Sequence, residues 1–133
     1  MEVYNPAFIC NHSDSQGRYS FERQPSVALW NLERLADAMR SLVDKDDLKD
    51  ALSVYQFSLV KEYSLLMRQK FGLLKVLDED STLINDFLQL LYTNKRDYHR
   101  SIRRLSDQKE QSMGSEFDTW FERYHKRIKQ EIE

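Results

Sequence analysis

Apolar residues recur every three or four positions along most of this chain, which is the spacing of an amphipathic α-helix. The first helix is predicted over about residues 25–43, because Pro25 suits the first turn of a helix. Its apolar residues cover most of the helix circumference, a pattern typical of a buried helix. They are Leu29, Trp30, Leu32, Leu35, Met39 and Leu42.

A second helix is predicted from the capping residues that flank the next apolar stripe. Asp44 or Asp46 can cap its start, and Gly72 is a natural terminator after it. The stripe between them consists of Leu48, Leu52, Tyr55, Leu59, Tyr63 and Leu66.

Three more helices are predicted in the remaining sequence. Asp80 or Ser81 begins the third, which Asn94 ends, and a shorter fourth helix follows. A polar connection over residues 106–114 leads to the last helix. The apolar positions assigned to these three helices are Leu83, Phe87, Leu90, Leu91, Tyr98, Ile102, Leu105, Phe117, Trp120, Phe121, Tyr124, Ile128 and Ile132.

The first 24 residues have the composition of a loop, with Pro6, Gly17 and several short polar residues. Apolar side chains such as Phe8 and Tyr19 lie among them, which predicts an ordered loop packed against other elements. The whole chain has only 3 Gly and 2 Pro, too few for the many turns of an all-β domain. The predicted fold is therefore all-α, with a loop over residues 1–24 and one helical domain of about five helices over residues 25–133.

The charge and the apolar runs argue against several classes of partner. A net charge of -2 argues against general binding to nucleic acid or to a membrane surface. No apolar run approaches the roughly 20 residues that span a bilayer, and the start lacks the pattern of a signal peptide. Cys10 is the only cysteine, which fits a reducing compartment, and we expect the cytoplasm.

No metal site is predicted. Residues 44–47 and 78–82 resemble the start of a calcium-binding loop, but later ligands and the glycine are missing, so the aspartates are interpreted as helix caps. The three histidines lie far apart and the single cysteine stands alone, so no zinc motif can be formed.

Gly17, Gly72 and Gly114 are the only glycines, and no glycine-rich phosphate-binding motif can be written with them. The chain by itself is therefore predicted to bind no nucleotide cofactor in a familiar way.

Two local patterns leave alternatives open. Cys10 and His12 lie on the same side of an extended loop, which allows a nucleophile pair or an inert thiol beside a hydrogen-bonding histidine. Basic residues cluster between Lys95 and Arg104, which allows nucleic-acid binding or a solvated helix face. The acidic net charge favours the solvated face.

One stretch of the sequence is far more specific evidence than the composition of the chain. Its residues are Cys10, Asn11, His12, Ser13 and Asp14, then Gly17, Arg18 and Tyr19, then Gln24 and Pro25, then Trp30, Asn31 and Leu32, and finally Leu35 and Ala36. In order and spacing this stretch resembles the signature of the selenoprotein-O (YdiU) family.

The resemblance implies a protein-kinase-like fold that acts as a nucleotidyltransferase. Members move AMP from ATP, or UMP from UTP, onto Ser, Thr or Tyr hydroxyls of protein substrates with Mg²⁺ or Mn²⁺. Residues 3–24 would be the activation segment, and the helix with Trp30 and Asn31 would be the buried central helix of the C-lobe. The chain would begin just after the family's Asp-Tyr-Gly-Pro metal-binding motif.

The resemblance places the catalytic and ATP-binding residues before residue 1, so none is assigned here and the isolated chain is expected to be inactive. The signature residues Asn11, His12, Asp14, Arg18, Tyr19, Gln24, Pro25, Trp30 and Asn31 receive no individual role. It also implies that Cys10 pairs under oxidation with a cysteine near the intact protein's C-terminus; an inert thiol is the alternative.

Two other functions compete with a nucleotidyltransferase lobe. A stand-alone helical module would bind partners, or a second copy, through exposed apolar stripes. A nucleic-acid-binding bundle would use the basic residues 95–104. The expected partners are protein substrates. Binding to nucleic acid or to a membrane is not expected.

Overall fold

A computed structural model describes residues 2–106 and 113–132, which form five α-helices and one short 3-10 turn without a β-strand. The helices are α1 (Gln24–Met39), α2 (Lys45–Lys70), α3 (Asp80–Thr93), α4 (Tyr98–Arg104) and α5 (Ser115–Ile132), and the 3-10 turn is Phe21–Arg23. The all-α prediction is confirmed. Most of the predicted connection over residues 106–114 lies outside the described residues.

The start of α2 and the ends of α2 and α3 follow the capping residues that the sequence predicts, whereas α3 begins at Asp80 without a side-chain cap. The Asp44 carboxylate accepts the backbone N–H of Asp46 at 2.8 Å, in the first turn of α2. Gly72 follows α2 with a φ of +70°, a conformation that glycine adopts without a steric penalty. Asn94 ends α3, and its backbone N–H and side-chain amide both donate to the carbonyl of Leu90.

The chain divides into two compact units. The loop unit is Pro6–Tyr63, and the core unit joins the residues up to Asn5 with those from Ser64 onward.

The core unit is built on the apolar faces of α3 and α5. Phe87 and Trp120 lie at its centre, 0% and 2% exposed, with their rings 4.5 Å apart. The Trp120 indole N–H donates to the carbonyl of Leu83 at 2.8 Å, and the ring of Tyr124 stacks on it. The predicted stripe of α3 is confirmed, since Leu83, Phe87 and Leu91 are buried. The predicted positions Tyr98, Ile102 and Leu105 in and after α4 are partly buried against the same core, whereas Ile132 at the end of α5 is 86% exposed.

A buried polar network ties α5 to the start of α3. The guanidinium of Arg127 donates to the Asp80 carboxylate at 2.6 Å, and both side chains are almost fully buried. It also donates to Glu131 at 2.6 Å and to the Lys75 carbonyl at 2.9 Å. Hydrogen bonding to Asp80 raises the pKa of Arg127 above its ordinary value despite burial, and Glu131 adds to this.

The Glu131 carboxylate accepts the backbone N–H groups of Leu74 and Lys75 at 3.1 and 3.0 Å. The bond from Lys75 is the main cause that holds the pKa of Glu131 below its ordinary 4.5, and Arg127 adds to it. Such a carboxylate adds stability above its unfolded-state pKa, and this stability is lost as the pH falls through its folded-state pKa.

We expect the native chain to lose thermal stability on acidification below about pH 4.5, and Glu131→Gln to lose less. The melting temperature is measured by circular dichroism across this range. Glu122→Gln, an exposed change on the same helix, is expected to keep the native pH profile. Parallel profiles for the native chain and Glu131→Gln would contradict the assignment.

The prediction of a buried first helix is wrong for the described chain. No residue of α1 is buried, and Trp30 is 45% and Leu35 56% exposed. Periodicity reports which side of a helix is apolar, but burial also needs a neighbour that covers that side. In the loop unit α1 contacts the 3-10 turn, and Tyr55 of α2 donates its hydroxyl to the Pro25 carbonyl at 3.0 Å.

Candidate functional site

The loop before α1 is held closed by its own backbone. The N–H groups of Phe21 and Glu22 donate to the carbonyls of Phe8 and Pro6, both at 2.9 Å, and so join the two ends of the loop. A series of tight turns lies between them. The prediction of an ordered loop fits this bonding, but apolar side chains such as Tyr19 remain about half exposed.

Asp14 organises the middle of the loop. One carboxylate oxygen accepts the backbone N–H of Arg18 at 2.9 Å, and the other accepts that of Tyr19 at 2.8 Å. Asn11 makes a smaller turn by accepting the N–H and the hydroxyl of Ser13. Two signature residues therefore act on the shape of the loop.

Gly17 lets the chain turn within the loop that Asp14 organises. Its φ is +65° and it is buried, and a Cβ added there would lie 3.3 Å from the Ile9 side chain. Both its conformation and the space around it favour glycine.

Two signature residues lie in the first turn of α1, and Gln24 attaches the loop to it. The side-chain amide of Gln24 donates to the carbonyl of Tyr19 at 2.5 Å. Pro25 lies in the first turn, where its missing N–H is not needed, and its carbonyl accepts the Tyr55 hydroxyl.

Arg18 and Trp30 form the most distinctive contact of the site. The guanidinium carbon of Arg18 lies 4.3 Å from the centroid of the Trp30 ring, within the range of a cation–π interaction. Arg34 approaches the same ring at 5.6 Å. Beside this pair lies an open groove of about 490 Å³ whose lining residues are Gln16, Arg18, Arg23, Ser26, Val27 and Trp30.

The sequence profile described as protein adenylyltransferase SelO matches residues 1–132 of the chain. The chain belongs to the SelO family. This confirms the resemblance found in the signature stretch. The family description implies protein adenylyltransferase activity, a reaction that uses a nucleotide and a metal.

Metal-binding side chains are not grouped in the part of this SelO-family chain that the structure describes. No group of three or more His, Cys, Asp or Glu side chains that could hold an ion is found there. Asp80 instead bonds Arg127 and the backbone N–H of Leu77, which gives it a structural role. The described residues therefore do not fit the metal that the family implies.

The other signature residues of this SelO-family chain are exposed. Cys10, His12 and Asn31 all lie at the surface, and Cys10 is a free thiol. Among the described residues, no hydrogen bond joins Cys10 to His12. The nucleophile pair stays one of two alternatives, beside an inert thiol, and the redox role of Cys10 stays a prediction from the family resemblance.

Several contacts of the site were missed by reasoning from the sequence of this SelO-family chain. Arg23 and Ser26 line the groove, and Tyr55 bonds α1 from 30 positions away. Arg23 lies between the signature residues Tyr19 and Gln24, and this position could have indicated that it belongs to the site. The contact of Tyr55 depends on the packing of α2, which no local pattern encodes.

None of the helices described for this SelO-family chain combines the length and apolar character that would let it cross a membrane.

Replacing Asp14 by alanine is expected to loosen the loop, because two backbone N–H groups lose a charged acceptor. Amide hydrogen exchange at Arg18 and Tyr19 should become about tenfold faster, and Asp14→Asn should fall between this variant and the native chain. Glu22→Gln, an exposed change in the same loop, serves as the control. Unchanged exchange at both amides in Asp14→Ala would disprove the role of the carboxylate.

Proposed function

We propose that this chain is a C-lobe portion of a protein adenylyltransferase, whose parent protein moves AMP from ATP onto Ser, Thr or Tyr hydroxyls of protein substrates. The substrate hydroxyl attacks the α-phosphate and pyrophosphate leaves. The proposal includes a second reaction, the transfer of UMP from UTP. It also includes a bacterial cytoplasmic location for the parent protein. The observation that carries it is the match of the SelO profile over residues 1–132.

Two features of the loop unit support the proposed place of this chain in the parent. An activation segment must hold a defined shape next to a helix of the C-lobe, and here Asp14 and Gln24 bond the loop and fasten it to α1. In the proposal, exposed apolar residues of α1 outside the groove, including Leu35 and Met39, face elements of the parent protein that lie outside this chain.

The proposal makes this chain inactive without the nucleotide-binding elements of its parent. ATP labelled at the α-phosphate is incubated with Mg²⁺ or Mn²⁺, a protein acceptor, and either the 133-residue chain or the intact parent protein. We expect label on protein only with the parent, and none from ATP labelled at the γ-phosphate. Labelling by the 133-residue chain would contradict the placement of the chemistry elsewhere, and γ-labelling by the parent would indicate a kinase.

A stand-alone interaction module is the second candidate, and one surface favours it. Val54, Phe57 and Val60 lie three residues apart on α2 and are 60%, 72% and 60% exposed. A row of this spacing is an apolar stripe of the kind that packs on a second helix, and in this candidate function it binds a second copy of the chain. Sedimentation equilibrium should then show a dimer that Phe57→Lys dissociates, with Lys49→Glu on the same helix as the control.

A further inference from the structure

The groove beside Trp30 has the charge of a site for an anionic partner. Two of its six lining residues, Arg18 and Arg23, are cationic, and none is acidic. Neither arginine forms an ion pair among the described residues. The nearby Asp14 carboxylate already accepts two backbone N–H groups.

Arg18 is held in place without the loss of its hydrogen-bond donors. Its guanidinium lies over the ring of Trp30 at 4.3 Å, and a stacked guanidinium keeps the N–H groups at its edge available. Fixing a long side chain before binding reduces the entropy lost on binding. Arg18 is therefore prepared to bind a carboxylate with a pair of hydrogen bonds.

The helix beside the groove adds little to its positive potential. The 3-10 turn Phe21–Arg23 leads directly into α1, and this turn carries the acidic Glu22. The positive charge of the groove therefore comes from Arg18 and Arg23. Ser26 and Val27, from the first turns of α1, line the groove.

The groove also offers acceptors, which separates a peptide from a nucleic acid. The Ser26 hydroxyl donates to the Arg23 carbonyl at 2.8 Å, so its lone pairs can accept from a ligand. The side chain of Gln16 carries both an acceptor and a donor. A peptide presents backbone N–H groups as well as carboxylates, whereas a phosphate backbone only accepts. Arg18 already occupies part of the Trp30 ring on which a base would stack.

We propose that this groove binds an acidic segment of the protein substrate. The assignment to a substrate rests on the proposed function, but the binding of an acidic peptide does not require the transfer reaction. Arg18 and Arg23 bind carboxylates of Asp or Glu, and Ser26 and Gln16 accept from the peptide backbone.

The test measures binding to the 133-residue chain without ATP. A fluorescein-labelled peptide rich in Asp and Glu around one Ser is titrated by fluorescence anisotropy, beside a Gln/Asn peptide and an oligothymidylate of equal length. We expect the acidic peptide to bind best, with an affinity that falls as salt rises. Arg18→Gln with Arg23→Gln should weaken binding about tenfold, and Arg103→Gln, an exposed arginine of α4, should change it less than about twofold.

A charge swap keeps the test decisive if the neutral variants lose their fold. Arg18→Glu with Arg23→Glu should bind a Lys-rich peptide better than the acidic one. Equal binding of the acidic and neutral peptides, tighter binding of oligothymidylate, or an equal loss in Arg103→Gln would each overturn the proposal. A parent protein that fails to transfer AMP while this chain binds the acidic peptide would overturn only the proposed function.

Discussion

Replacing Arg127 by methionine is expected to cost about 3–5 kcal/mol of unfolding free energy, because the Asp80 carboxylate would remain buried without its cation. Asp80 is 4% exposed at the side chain, so water cannot take the place of Arg127. Typical domains are stable by only about 5–15 kcal/mol, so much of the core unit's stability is at stake. Urea unfolding followed by circular dichroism measures the loss.

Two variants separate this effect from a general loss of charge. Arg123→Met, on the same helix as Arg127, removes an ion pair with Asp86 of α3. That pair is about half exposed and should contribute less than about 1 kcal/mol. Combining Arg127→Met with Asp80→Asn should recover part of the loss, because the amide needs no cation and still accepts the N–H of Leu77. A similar loss in Arg127→Met and Arg123→Met would refute the buried-charge explanation.

Replacing Trp120 by alanine is expected to cost about 3–5 kcal/mol, through the lost apolar contact and the cavity that remains. The indole is 2% exposed, packs on Phe87 and Tyr124, and donates to the Leu83 carbonyl. Trp120→Phe should cost less, because a ring still fills most of the space. The unfolding free energy in urea is the measured quantity.

Trp30 provides the matched control, since the same side chain there is 45% exposed. Trp30→Ala removes mainly a cation–π contact with Arg18 and should cost about 1 kcal/mol or less. A loss of stability in Trp30→Ala as large as that in Trp120→Ala would contradict the exposed position of Trp30.

The helices of the core unit could be predicted because local signals and tertiary packing agree there. The cap Asn94 acts within one turn, and the stripe of α3 through Phe87 meets the stripe of α5 through Trp120. The exposure of Trp30 could not be predicted by the same reasoning. Its stripe is as apolar, but whether a neighbour covers it is a tertiary property.

The buried ion pair was missed because only apolar residues were assigned to the inner face of the last helix. Phe117, Trp120, Tyr124, Arg127 and Glu131 follow one another at steps of three and four, so Arg127 lies on the apolar face of α5. That position could have indicated that Arg127 is buried. Its partner Asp80 was predicted to cap α3, and the sequence gives no sign that a residue 47 positions later binds it.

In the candidate site, the sequence could identify the signature residues but not their geometry. Arg18 and Trp30 are twelve positions apart, and their contact needs both the closed loop and the helix that follows it. The groove arises from that contact, together with Arg23 and Ser26, so it could be found only after the chain had folded.

The network around Arg127 joins residues about fifty positions apart in the chain, and this has a consequence for kinetics. Closing a loop of that length costs entropy before any contact between its ends can form, so we place these bonds after the folding transition state. Interactions made after the barrier act on the rate of unfolding far more than on the rate of folding. The buried arginine would then govern how long a folded molecule survives, while the speed with which it first folds is set by the helices.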